Sequence, residues 1–249
     1  MTLPKLYEFP VSHYCEKVRW ALDFKQIAYQ RVCLLPVLHV PIMLALNRQT
    51  QVPMLQLGER RISNSPRILA SLEEYFQERP SLMPEDNVDC DKALALCTFF
   101  DTDIGIHLRR IAYFHALPNR AFMLELLSAD QSALNRALLR FALPLITRVM
   151  AKSMRINAAN YQKSLGKFNA AVDRLDAALQ PCGYLVGKQF SIADLTAAAL
   201  LSPLVQPEKS MYGTVKLAPP AFDAFCATYA DRPFFKWVND VYCKHRRVA

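Results

Sequence analysis

Leu6-Tyr7-Glu8-Phe9-Pro10-Val11-Ser12-His13-Tyr14-Cys15-Glu16-Lys17-Val18-Arg19-Trp20-Ala21-Leu22 reads as a short strand, a tight turn and an amphipathic helix. Tyr7 and Phe9 suit a pleated, half-buried strand, and Pro10 ends it. Ser12 stands where an N-cap belongs. Tyr14, Val18 and Leu22 follow at helical spacing, with Glu16 in the first turn. A hydroxyl at the positive end of a helix, directly after a strand, is a place to hold an anion. Ser12-x-x-Cys15 also has the spacing of a dithiol redox motif, with serine in place of the leading cysteine.

Two later stretches extend this reading. Gln51-Val52-Pro53-Met54-Leu55 is followed by Ile62-Ser63-Asn64-Ser65-Pro66-Arg67-Ile68-Leu69, where Ser65 reads as an N-cap ahead of proline at the first helical position. Phe190-Ser191-Ile192-Ala193-Asp194-Leu195 is a helix start in which Ser191 caps and Asp194 reciprocates. In this order and at these separations the motifs resemble the cytosolic glutathione transferases that activate a thiol with serine or cysteine. The resemblance implies an α/β thioredoxin-like domain over residues 1–78 and an all-α domain over 89–249. It implies a glutathione-binding cytoplasmic homodimer that conjugates the glutathione thiolate to a small, apolar electrophile. A glutathione-dependent reductase, peroxidase or isomerase on the same site, and a non-catalytic glutathione-binding protein, are the alternatives.

Composition bounds these readings. The chain has 249 residues, 52% of them apolar, enough for two unequal domains. Seven scattered cysteines without a C-x-x-C pair speak against a disulfide framework and a zinc site, so no metal is expected. No secretory leader and no membrane span are evident. The formal charge of +8 favours anionic ligands in general, but no nucleic-acid motif accompanies it, and no nucleic-acid partner is expected.

Along the chain, a second strand is expected near Ala28–Leu34 and a hairpin around Gly58-Glu59. Pro36 and Pro41 argue for irregular helical turns over residues 35–47. Residues 77–88, broken by Pro80 and Pro84, read as a linker. Beyond it come long helices at Leu94–His115, at Ser132–Met154 with Pro144 inside, and at Asn157–Leu179. Arg136, Arg140, Arg148 and Lys152 recur on one side of the second of these, whose other sides are apolar; a solvated face over a buried helix is preferred to a membrane-surface helix.

From spacing alone, Ser12 either caps its helix or activates a thiol; the resemblance favours the catalytic role. Cys15 is read as a buried small hydrophobe rather than a resolving cysteine, and His13 as a solvated residue at the helix start. By resemblance, Val52 and Pro53 present backbone to the cysteinyl unit, Asn64 and Ser65 hold the γ-glutamyl end, and Gln51 and His39 contact the glycyl end. Asp101 or Asp103 would reach the γ-glutamyl amine across a dimer interface. An acid paired with Arg109 or Arg110, or facing water, is the preferred alternative. The electrophile pocket is expected between the turn after Phe9 and the Leu94–His115 helix. Its expected lining is Phe9, Val11, Phe100, His107 and Tyr113, with Phe99 and Ile106 as further candidates.

Overall fold

The computed structural model describes residues 3–214 and 218–247. It begins β1 (Lys5–Glu8), α1 (His13–Phe24), β2 (Gln30–Cys33), α2 (His39–Asn47), β3 (Met54–Leu57), β4 (Arg60–Ser63), α3 (Ser65–Tyr75). The four strands form one sheet in the order β2-β1-β3-β4, with β1 parallel to β2 and antiparallel to β3. Strand alternation sorts the two faces. Leu6 and Leu55 point into the main core with Val18, Leu22, Ile68 and Leu72 of α1 and α3. Tyr7, Phe9 and Met54 face the other way, against Met43 of α2.

The irregular turns expected over 35–47 are instead a regular helix from His39. Pro41 falls in its first turn, where a backbone N–H has no intrahelical acceptor to lose. The cap of α3 also moves by one residue. Asn64 is the N-cap, at φ 78°, and Ser65 is the first helical residue.

The helical part contains α4 (Asn87–Phe99), a π-helical turn (Phe100–Gly105), α5 (Ile106–Ala116), α6 (Arg120–Ser128), α7 (Ala133–Ser153), α8 (Ala158–Ala178), α9 (Ile192–Val205), α10 (Pro220–Ala227) and α11 (Pro233–His245). The single long helix expected around Leu94–His115 is thus α4 and α5 with a π turn between them, and α6 is a helix the spacing did not single out. Cys97, Ile104, Leu108 and Ile111 are buried as the stripe requires, but Leu94 is exposed. Residues 76–86 connect the two parts. They are not a loose tether, because Leu82 is buried and its carbonyl accepts from Ile192 N–H at 2.8 Å.

Every residue of α9 is buried. Its start is the capping box read from the sequence. Asp194 accepts from Ser191 N–H at 2.9 Å, from the Ser191 hydroxyl at 2.8 Å and from Leu185 N–H at 2.8 Å. The α1 helix lies on α9 and presents Trp20 to Phe190 and Tyr242. A buried charge network fixes the other side of α1. Glu8 pairs with Arg19 and Arg31, while Glu16 pairs with Arg19 and with Arg246 at the far end of the chain. Arg19 also donates to the Pro10 carbonyl at 3.0 Å, which holds the turn that carries Ser12.

Candidate active site

The β1–α1 turn, the start of α2, the loop before β3, the start of α3 and the inner faces of α5 and α7 enclose one cavity of about 650 Å³. At one end lies Ser12, half-buried, with N-cap backbone geometry; its oxygen accepts from Cys15 N–H at 3.3 Å. That bond uses a lone pair and leaves the hydroxyl proton free to donate. Val52, Pro53, Asn64 and Ser65 line the same cavity, and the Val52–Pro53 peptide is cis. Ser65 is buried at 3% exposure, and the first turn of α3 offers amide donors without intrahelical partners. Gln51 and His39 also line the cavity. His39 Nε2 lies 2.8 Å from the Thr50 carbonyl, and its ring meets Phe9 edge-on at 4.7 Å.

Cys15 is fully buried, and its thiol is pushed up to about 12 by burial, aided by the Glu8 carboxylate. A thiol held in that form is a poor nucleophile. His13 is not the solvated residue expected. It is 3% exposed, Nε2 has no hydrogen-bond partner, and burial together with Arg109 holds it down at about 3, so it is neutral at pH 7.

Asp101 lies on the cavity wall, in the π turn, but neither Arg109 nor Arg110 is its partner. Lys17 Nζ bonds both carboxylate oxygens, at 2.8 and 3.0 Å, and the Tyr14 hydroxyl donates to the Asp101 carbonyl at 2.7 Å. Burial raises the Asp101 carboxyl above its ordinary range and Lys17 opposes that shift. Gly105 makes the Tyr14 approach possible: a Cβ there would stand 2.8 Å from the ring carbon that bears the hydroxyl. Arg110 is engaged elsewhere, with Ser164 Oγ at 2.8 Å and the Met154 carbonyl at 3.2 Å. Asp103 accepts from its neighbour Thr102 and does not line the cavity.

The apolar end of the cavity contains Phe9, Val11, Ile106 and Tyr113 as expected. Phe100 and His107 do not belong to it. Phe100 is fully buried in the main core, three residues after Cys97 and four before Ile104 on the same stripe, and His107 faces Ser164 Oγ at 3.1 Å. Phe99 is likewise outside, beneath the Arg174 guanidinium. In their place stand Val37, Arg109, Phe122, Met150, Tyr212 and Phe222. Tyr212 donates to the Val11 carbonyl, so the segment after α9 closes over the β1–α1 turn. Arg109, over the Tyr14 ring at 5.8 Å, has no salt-bridge partner among the described residues and adds a positive field beside Ser12. No local motif marks Lys17, Arg109 or Tyr212, since each acquires its role from elements far away in sequence.

Comparison with known proteins bears on the family and the fold. The glutathione S-transferase N-terminal domain model matches residues 6–80, and the C-terminal domain model matches residues 138–235. Among curated proteins no sequence matches at a significant level. Among solved structures, the beta-etherase LigF of Sphingobium sp. strain SYK-6 aligns with a TM-score of 0.64 at 21% identity, over 96% of this chain and 99% of that one. Glutathione transferase F7 of Populus trichocarpa aligns at 0.57 and 18% identity, over 96% and 98%. A glutathione S-transferase of Methylobacterium radiotolerans, solved with glutathione sulfonate, aligns at 0.57 and 19%, over 94% and 93%. The two domain models together cover well over half of the sequence, and the chain belongs to the glutathione S-transferase family.

Proposed function

We propose that this protein is a glutathione transferase that uses Ser12 to stabilise the glutathione thiolate for attack on a small apolar electrophile. The observation that carries the reading is the convergence of Ser12, the Val52 backbone and Ser65 on one cavity whose far end is apolar. The γ-glutamyl carboxylate is assigned to Ser65, Asn64 and the N-terminus of α3, where amide donors and the helix dipole favour an anion. The cysteinyl unit runs along the Val52 backbone as an extended peptide adds to a sheet edge, and the glycyl end lies toward Gln51 and His39.

The sulfur then meets the Ser12 hydroxyl at the start of α1. Ionisation releases the thiol proton to water. The thiolate forms a carbon–sulfur bond to the electrophile, and the leaving group departs with the electron pair of the bond that breaks. Cys15, buried and protonated, supports this conjugation over a thiol–disulfide reduction. The test is calorimetric titration with glutathione, then turnover with activated aryl halides, epoxides and peroxides. Glutathione binding with turnover of the halides fits the reading; no binding, or turnover of peroxides alone, sinks it.

The same reading includes a cytoplasmic homodimer. We assign the interface to α3 and the start of the helical part, where Tyr75 on α3 and Val88 and Leu94 on α4 are exposed apolar residues. Light scattering should give the dimer mass at micromolar concentration, and a monomer would remove any cross-subunit role for Asp101 or Asp103.

A further inference from the structure

The α7 helix has two apolar faces. Leu139, Leu143, Ile146 and Met150 are buried against the body of the protein. On the opposite side Leu134, Leu138, Phe141, Leu145 and Val149 recur at spacings of three and four, and they are 70, 49, 86, 62 and 39% exposed. The sequence reading placed a solvated basic face over a helix otherwise buried. In the structure the second apolar stripe is not covered by any described part of the chain. A row of large side chains this open marks an interaction surface.

Charge selects the occupant. The α7 sequence contains no acid, and of its exposed cations Arg148 and Lys152 project on the stripe's own side of the helix, while Arg136 and Arg140 project from the other side, nearer the buried face. Apolar side chains in a row with cations alongside match the acyl boundary and headgroups of an anionic bilayer. A second copy of the chain fits worse. An antiparallel pairing of α7 with itself along the stripe would bring Arg148 and Lys152 of each copy against a helix that has no acid to answer them. Val149 belongs both to the exposed stripe and to the cavity wall, so the stripe ends at the mouth of the cavity.

We infer that α7 docks the protein on an anionic membrane surface, lying in the headgroup region with Phe141 and Leu145 inserted and the cavity mouth toward the lipid. An apolar substrate dissolved in the bilayer would then reach the cavity without crossing bulk water. The experiment is co-sedimentation of the full chain with phosphatidylcholine–phosphatidylglycerol vesicles and with pure phosphatidylcholine vesicles. The wild type is compared with two double variants, Phe141→Ser/Leu145→Ser and Arg148→Gln/Lys152→Gln. Melting temperature and glutathione affinity, which exposed positions outside the cavity should not move, serve as controls.

The expected result is partitioning onto the anionic vesicles that falls with added salt. It should fall at least tenfold in the apolar variant and roughly fivefold per charge in the basic one. Absence of partitioning, or equal partitioning onto neutral vesicles, overturns the inference. So does a drop in solution mass for Phe141→Ser/Leu145→Ser by light scattering, which would make the stripe an interface between copies.

Discussion

Replacing Ser12 with alanine removes two interactions that can be read separately. The first is the cap on α1. Its hydrogen bond to Cys15 N–H is long, 3.3 Å, so the loss belongs at the low end of capping energies, about 0.5–1 kcal/mol. That corresponds to a fall in melting temperature of about 2 °C. The second is the donor to the ligand sulfur. A hydrogen bond to a charged acceptor contributes about 1.5–3 kcal/mol, and one pKa unit is 1.36 kcal/mol, so the bound thiol should rise by about 1–2 units. Conjugation at neutral pH should then fall by one to two decades, because the thiolate fraction falls by that factor. Glycine at the same position restores most of the cap but not the donor. Ser12→Gly should therefore recover the melting temperature while remaining as slow as Ser12→Ala. The assay is ultraviolet thiolate absorbance of the glutathione complex against pH, with turnover on the same samples. An unchanged thiol pKa in Ser12→Ala, with glutathione still bound, refutes the role of the hydroxyl. Loss of activity in Cys15→Ala with retention in Ser12→Ala would transfer the chemistry to the cysteine.

At the other end of the ligand, Ser65→Ala should weaken glutathione binding several-fold by calorimetry with little change in melting temperature. Lys17→Ala strands the Asp101 carboxylate and should destabilise the protein by about 3–5 kcal/mol, the cost of breaking a buried pair from one side. Chemical denaturation should show much of that loss recovered in Lys17→Met/Asp101→Leu. Asp194 gives a pH signature. Burial pushes its carboxyl up to about 6, against about 3.9 in an unfolded chain, so the folded state holds the proton more tightly. Its contribution is therefore fully present below about pH 4 and is lost as pH rises through 6, a span of about 2–3 kcal/mol. Denaturation midpoints of the wild type, relative to Asp194→Asn, should decline over that interval; a rise would refute the assignment.

The parts of this fold legible in sequence are those fixed by local chemistry. Ser12, Ser132, Asn157 and Ser191 announce helix starts because a short polar side chain answers free amides a few residues ahead. Gly58-Glu59 marks its hairpin for a similar reason, since the turn needs the positive φ that glycine takes at 58°. The residues proposed for glutathione, such as Asn64 and Ser65, drew notice for the same reason, since they stand at a helix start. Pro41 misled because proline was weighed as a breaker without its position in the first turn. Phe100 misled because it falls on the buried stripe, three residues after Cys97 and four before Ile104, while His107 lies beyond a π turn whose extra residue no spacing rule registers. Lys17 and Asp101 are 84 positions apart, and Tyr212 and Val11 are 201. Such pairings arise only once α9 and the segment after it have packed.

Trp20 and Glu16, on the first helix, are completed by the last turn of the chain. Trp20 donates to the His245 carbonyl at 3.3 Å, and Arg246 bonds Glu16 at 2.8 Å. During translation, at about 5–20 residues per second, roughly 12–46 s separate synthesis of Glu16 and Arg246. Over that interval the Trp20 indole and the Glu16 carboxylate each stand one partner short. Long-range closure of this kind also slows refolding of the finished protein. A nonsense codon or a fusion placed after Tyr242 would thus first be felt at the turn bearing Ser12, the full length of the chain away.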